Sequence, residues 1–146
     1  MKIFTNPNAQ LKSKYGQYSI AVLGNIVAVS AEGIADKIAI ARYANDMIDV
    51  ITGLGKQKWA FLGFLHGSAL LTKDGELELE KSIAWRARHG MAVGALVTGQ
   101  TTIEAIVKSQ FERIYKNVGI PLGVFSDEAS ALSWLAEKGF SQNAGT

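Results

Sequence analysis

The stretch "HGSALL", His66 to Leu71, holds the side chains with the most direct chemical capacity in this sequence. A serine two residues from a histidine pairs a nucleophile with a general base, provided the two groups meet at about 2.6–3.2 Å. The same serine, Ser68, is a candidate phosphoacceptor. Gly67 marks a turn between them, so spacing alone leaves their geometry open, and no Gly-x-Ser-x-Gly elbow surrounds Ser68. The plainer alternative is a strand exit, with glycine for the turn, histidine at the rim and serine bonded to local backbone.

A second cluster is "WRARHG", Trp85 to Gly90. It suits an acidic partner, a phosphate or a membrane surface. It equally suits the cationic last turn of a helix, where Arg and His complement the C-terminal dipole. Arg86 and Arg88 point in different directions on a helix, which weakens a single patch. "TGQTT", Thr98 to Thr102, feeds a helix N-terminus that can hold an anion. It lacks both a Gly-x-Gly-x-x-Gly pattern and a Walker lysine. Asp46 with Asp49, and the alternating Glu76, Glu78 and Glu80, read as solvated faces. His66, Ser68, Leu70, Trp85 and Arg88 are therefore the candidate ligand- or partner-binding residues. No catalytic set, metal site or cofactor site emerges, and a non-enzymatic protein is expected.

The elements that must position these residues follow from periodicity. "YSIAVLGNIVAVSAEG" is two β-rich runs around Gly24-Asn25, a two-residue hairpin turn that sets Val22 opposite Val27, Ile20 opposite Val29 and Tyr18 opposite Ala31. Asp36 N-caps a helix whose apolar stripe is Ile38, Ala41, Ala44, Ile48 and Ile51, with Gly53 and Gly55 as stops. Trp59 to Leu65 has no polar side chain, as expected of a strand covered on both faces. "DGELELEKSIAWRARHG" reads as a helix with Leu77, Ala84 and Ala87 on one stripe and Ile83 beside it. "MAVGALVTG" is a buried strand. Thr101 and Glu104 form a capping box for a helix whose stripe includes Ile103, Ile106, Val107, Gln110, Phe111, Ile114, Tyr115 and Val118, closed by Gly119. "PLGVF" is the last strand. Ser126 caps the last helix, with Gly139 at its end.

Length and composition set the outer limits. A chain of 146 residues with 48% hydrophobic and 19% charged residues reads as one globular domain over 16–140, with an N-terminal arm over 1–15 and a tail over 141–146. Ile3 and Phe4 are the arm's docking residues. There is no cysteine, which excludes disulfides, thiolate metal sites and a cysteine nucleophile. A net charge of +2 argues against nucleic acid. With no signal-like or membrane-length apolar run, a cytoplasmic location is expected.

The order hairpin, helix, strand, helix, strand, helix, strand, helix predicts an α/β fold on a mixed, mostly parallel five-stranded sheet. Crossovers are right-handed in about 98% of cases. A doubly wound sheet, with helices on both faces and a switch point in the strand order, is the rival arrangement. Strands lying in chain order would instead place every helix on one face and leave the other without helical cover. Both parities of the central strands are apolar, so that face needs the arm, a second copy, a partner or an apolar ligand against it. A homodimer is the expected solution.

The element order and the ending "VFSDEASALSWL", with Phe125, Asp127 and Trp134-Leu135, resemble the SpoIIAA-like (STAS-like) family of small, largely uncharacterised bacterial proteins. The resemblance spans about Tyr18 to Gly139 and implies a βα superhelix with strands in chain order. It further implies an anti-sigma-factor-antagonist switch, phosphorylated on serine in the loop after the central strand. That loop here reads His66-Gly67-Ser68-Ala69-Leu70-Leu71 and lacks the family's Asp-Ser and Ser-Gly pairs. The sequence thus favours a binder of a protein partner or an apolar small molecule. A Ser68-phosphorylated regulator and a peripheral lipid-binding protein are the alternatives.

Overall fold

A computed structural model describes residues 4, 7–12 and 16–142. Its elements in chain order are β1 (Ala9–Lys12), β2 (Gly16–Leu23), β3 (Ile26–Gly33), α1 (Lys37–Thr52), β4 (Trp59–Gly67), α2 (Lys73–Ala87), β5 (Met91–Thr101), α3 (Glu104–Val118), β6 (Leu122–Phe125) and α4 (Glu128–Glu137). The chain is an α/β fold on one mixed sheet, ordered β1-β2-β3-β4-β5-β6. β1, β2 and β3 are antiparallel neighbours, and β3 through β6 run parallel. The five expected strands are present. β1, from the segment expected as an arm, adds a sixth at the sheet edge.

The hairpin register is the one its turn dictates: Val22 faces Val27, Ile20 faces Val29, and Tyr18 faces Ala31. Gly24 takes φ 59 in that turn. Each of α1, α2 and α3 connects two adjacent parallel strands, and all three pack on one face over Val27, Val29, Phe61, Leu65 and Leu96. That is the expected consequence of uniform crossover handedness between neighbours.

The other face departs from expectation. It is covered, not bare. Ala131 and Leu135 of α4 lie against Ile26, Ala28, Leu62, Phe64, Val93 and Ala95, and Phe140 completes the layer. Phe4 sits edge-on to Phe64 at 5.9 Å, so the arm adds cover as well, while Ile3 lies outside the described residues. α4 follows the last strand and joins no further one, so the crossover rule does not bind it. It folds over the sheet and ties its end to the hairpin: Asn25 Nδ2 donates to the Gly139 carbonyl (3.2 Å), and Ser141 N donates to Asn25 Oδ1 (2.9 Å). With both faces covered within one chain, an uncovered face no longer argues for a dimer.

Helix registers also differ from the sequence reading. On α1 the buried positions are Ile40, Tyr43, Met47 and Ile51, while Ile38 is 80% exposed. On α2 they are Gly75, Leu79, Ile83 and Arg86, while Leu77 is exposed. Asp36 caps α1 through Ala39 N (2.9 Å) as expected. The Thr101–Glu104 capping box does not form. Glu104 instead accepts from Thr98 Oγ1 (2.8 Å), Thr101 Oγ1 donates to the Thr98 carbonyl (2.7 Å), and Ile103 stands at the cap with no side-chain bond. Asp127, not Ser126, caps α4, accepting from Ser130 N at 2.7 Å. Among the described residues no helix is long and apolar enough to cross a membrane.

Candidate functional site

The helical face of the sheet is not filled. Side chains alternate along a strand, so Phe61, Gly63 and Leu65 of β4 share the α1–α3 side with Val29 and Ala31 of β3. Between this floor and the three helices lies a cavity of about 570 Å³. Protein interiors are close-packed, with few voids larger than a water molecule. Ligand pockets run to about 300–1,000 Å³ and are mostly apolar with a few placed polar groups. This cavity fits the second description.

Two glycines help to shape it. At Gly63 a Cβ would stand 2.8 Å from Leu96 Cδ2 and from Phe61 Cε2, so the floor is bare there. At Gly94 of β5 a Cβ would stand 2.6 Å from Tyr115 Cε2, and the absent side chain leaves room for that ring. The roof comes from Ile40 and Tyr43 of α1, Leu79 and Ile83 of α2, and Phe111 and Tyr115 of α3.

The mouth lies at the carboxyl ends of the parallel strands. Ile34, 57% exposed, Ile38 and the half-buried Leu70 stand there. The segment after β4 is fastened on both sides. Ala35 N donates to the Leu70 carbonyl (2.9 Å) and Thr72 N to the Ala35 carbonyl (3.0 Å). Gln110 of α3 accepts from Leu71 N (3.3 Å) and donates to the Leu71 carbonyl (3.0 Å). Ala69, in the same segment, has φ 44, a left-handed conformation that costs a non-glycine residue about 1–2 kcal/mol.

The inner end is polar in one place. α2 runs back down the sheet, and its buried face ends in Arg86, which is 1% exposed. The guanidinium carbon lies 5.1 Å from the Tyr43 ring centroid and 5.3 Å from that of Phe61. Among the described residues Nε and Nη2 have no hydrogen-bond partner, and neither has the buried Tyr115 hydroxyl. All 13 Asp and Glu lie among the described residues, and the ion pairs among those residues are Glu76–Arg113 and Glu78–Lys81. No side-chain carboxylate pairs with Arg86.

The phenols respond to this setting. Burial pushes the Tyr115 hydroxyl well above the ordinary tyrosine value, the Arg86 charge offsetting part of the rise. Burial raises Tyr43 in the same way, again against Arg86. Tyr18, nearer the mouth, is raised by burial and by its hydrogen bond to Asp46.

Of the candidate binding residues His66, Ser68, Leu70, Trp85 and Arg88, only Leu70 lines the cavity. His66 sits in β4 between Glu32 of β3 and Gln100 of β5, and by alternation it shares the Phe64 side of the sheet, away from the cavity. Ser68 is half-buried in the turn after Gly67, which has φ 60. Trp85 is partly buried and stacks on His89, with ring centroids 4.0 Å apart. Arg88 is exposed at the C-cap of α2.

Sequence reasoning placed Arg86 only in the cationic cluster Trp85–Gly90, not in the core, and missed Tyr43 and the polar role open to Tyr115. A signal for Arg86 existed: stepping from Leu79 to Ile83 along the helix reaches position 86 next on that face. Compared with protein-family models, curated proteins and solved structures, this chain matches none.

Proposed function

We propose that this protein is a non-enzymatic binder of an apolar small molecule, held between the sheet and α1–α3. The observation that carries the proposal is the cavity of about 570 Å³ between the sheet and α1–α3, far larger than the voids of a close-packed interior. Its lining is chiefly aliphatic and aromatic, and exposed Ile34 and Ile38 give it an apolar mouth. Among the described residues of the lining there is no His, Ser or Lys, and its Thr72 and Tyr18 hydroxyls donate to Asp74 and Asp46.

The test is titration with the neutral fluorophore N-phenyl-1-naphthylamine. The expected result is saturable fluorescence enhancement that falls at least tenfold in affinity for Val29→Phe, whose added ring occupies cavity volume, with an unchanged circular dichroism spectrum. Saturable binding indifferent to that substitution would remove the proposal.

A phosphorylation switch at Ser68 has one observation in its favour. Ser68 immediately precedes Ala69, the cavity-lining residue held in a left-handed conformation. A phosphate there would add about −1.5 to −2 charges at the rim. Mass mapping after kinase incubation tests it, and no shift on the peptide containing Ser68 would end it.

A further inference from the structure

We propose that the molecule held in the cavity is a monoanionic amphiphile, a long-chain carboxylic acid whose carboxylate docks on the Nε–Nη2 edge of Arg86 with the Tyr115 hydroxyl as a third donor. This rests on the cavity being a binding site for an apolar molecule, and it adds the head group and the orientation.

The first ground is the cost of Arg86. A guanidinium keeps its charge in proteins. Taking such an ion out of water costs several kcal/mol even after relaxation. Two aromatic rings near it return on the order of 2 kcal/mol each. Tyr43 also hydrogen-bonds the guanidinium, but Nε and Nη2 stay without an acceptor among the described residues. The two nitrogens left without an acceptor, Nε and Nη2, form one edge of the fork, the edge that takes a carboxylate in two parallel bonds. The molecule uses the same edge elsewhere: Arg113 donates from Nε to Glu76 Oε2 (3.1 Å) and from Nη2 to Glu76 Oε1 (2.5 Å). At Arg86 the described residues supply no such acid.

The second ground is the distribution of charge and grease. Arg86 is the one cation at the inner end, so a single negative charge balances it, and the unpartnered Tyr115 hydroxyl offers a neutral donor beside it. The other charged residues of the lining, Glu32, Asp36 and Arg42, belong to the upper end of β3 and the start of α1. Between the two ends the walls are apolar. Phe61, beside Arg86, and Leu65, below the rim, are four residues apart on β4, which spans about 13 Å at about 3.3 Å per residue. A head group on Arg86 therefore leaves an apolar channel of that length for an alkyl chain pointing to Ile38 and Leu70.

The experiment is calorimetric titration of the intact chain with laurate, dodecanol and dodecyl phosphate. Laurate is expected to bind on the order of thirtyfold tighter than dodecanol, the scale of one desolvated, hydrogen-bonded charge pair. Arg86→Met should bring laurate down to the affinity of dodecanol and leave dodecanol within about threefold, since only the charged partner is removed. Tyr115→Phe, which keeps the ring, should weaken laurate about three- to tenfold, the net worth of one typical hydrogen bond, and gives an independent readout if Arg86→Met fails to fold.

Equal binding of laurate and dodecanol by the wild-type protein would overturn the head-group assignment while leaving the cavity as an apolar site. Binding of neither, together with no binding of N-phenyl-1-naphthylamine, would overturn the underlying function instead. Dodecyl phosphate binding more tightly than laurate would replace the carboxylate with a phosphate monoester.

Discussion

The Tyr115 ring occupies the space that a side chain on Gly94 would need, with the position of a Cβ there falling 2.6 Å from Cε2 and 2.7 Å from the hydroxyl oxygen. A residue of β5 thus sets, by having no side chain, where a phenol of α3 stands inside the cavity.

Gly94→Ala should therefore destabilise the protein by about 1–3 kcal/mol through overpacking. Chemical denaturation measures this. In a Tyr115→Leu background the same substitution should cost much less, because the ring it displaces is gone. An identical cost in both backgrounds would mean that the conflict lies with the strand and not with Tyr115.

Arg86 should be a residue the free protein is more stable without. Replacing a buried charge by an apolar side chain of similar size is often neutral or stabilising by about 1–4 kcal/mol. The attraction of the Tyr43 and Phe61 rings for the cation disappears with it and offsets part of that gain. Arg86→Met is expected to raise the ligand-free stability by on the order of 1 kcal/mol. A loss comparable to that of a truncated core residue would show that Arg86 holds the fold together and is not kept for a ligand.

On α1 the contrast is between two stripes. Met47 is fully buried and Ile38 is 80% exposed. Met47→Ala should cost about 2–5 kcal/mol, whereas Ile38→Ser should stay within about 0.5 kcal/mol. Thermal or urea unfolding of the two variants decides, and equal losses would contradict the helix register.

Those two stripes explain why part of the fold was legible and part was not. Ile38, Ala41, Ala44, Ile48 and Ile51 recur at three and four residues, and so do Ile40, Tyr43, Met47 and Ile51, the two series sharing only the buried Ile51. Periodicity identifies the helix but cannot rank two apolar stripes. The bulkier one is buried because the cavity and sheet below it leave room for Tyr43 and Met47. The hairpin register was legible because a two-residue turn leaves no freedom in pairing. The strand from Trp59 was legible because a run without polar side chains needs cover on both faces. The seat of α4 was not, since a terminal helix is free of the crossover rule. Arg86 was hidden by its type. Arginines near a helix C-terminus are ordinarily exposed and favourable there, and nothing in "WRARHG" marks which one turns inward.

Three of the four tyrosines, Tyr18, Tyr43 and Tyr115, have their phenols raised above the ordinary value of about 10. Below pH 10 both folded and unfolded chains keep these protons. Above it the unfolded chain releases them while the folded chain holds on, so the unfolded state binds fewer protons and stability falls as pH rises. The slope contributed is up to about 1.4 kcal/mol per pH unit for each phenol. Tyr43→Phe and Tyr115→Phe should each flatten the alkaline limb. Denaturation midpoints between pH 9 and 11 test this, and an unchanged limb in both variants would place the alkaline sensitivity elsewhere.

Gln110 lies on the buried side of α3 yet spends both ends of its amide on the backbone of Leu71, donating to the carbonyl and accepting from the N–H. It fastens the segment that carries Ala69 and Leu70 across the cavity mouth. Gln110→Ala leaves both Leu71 groups without their partner, at a cost of about 1–3 kcal/mol where water does not reach them. Amide exchange at Leu71 should quicken, because the opening that exposes it then needs less free energy than before. Ligand access should quicken with it, since the same segment borders the mouth, so laurate should associate faster without binding more tightly. Gln110→Glu keeps the acceptor and loses the donor, and should fall between the two in exchange rate. Unchanged exchange at Leu71 in Gln110→Ala would mean that the bonds between Ala35 and residues 70 and 72 suffice to hold the segment.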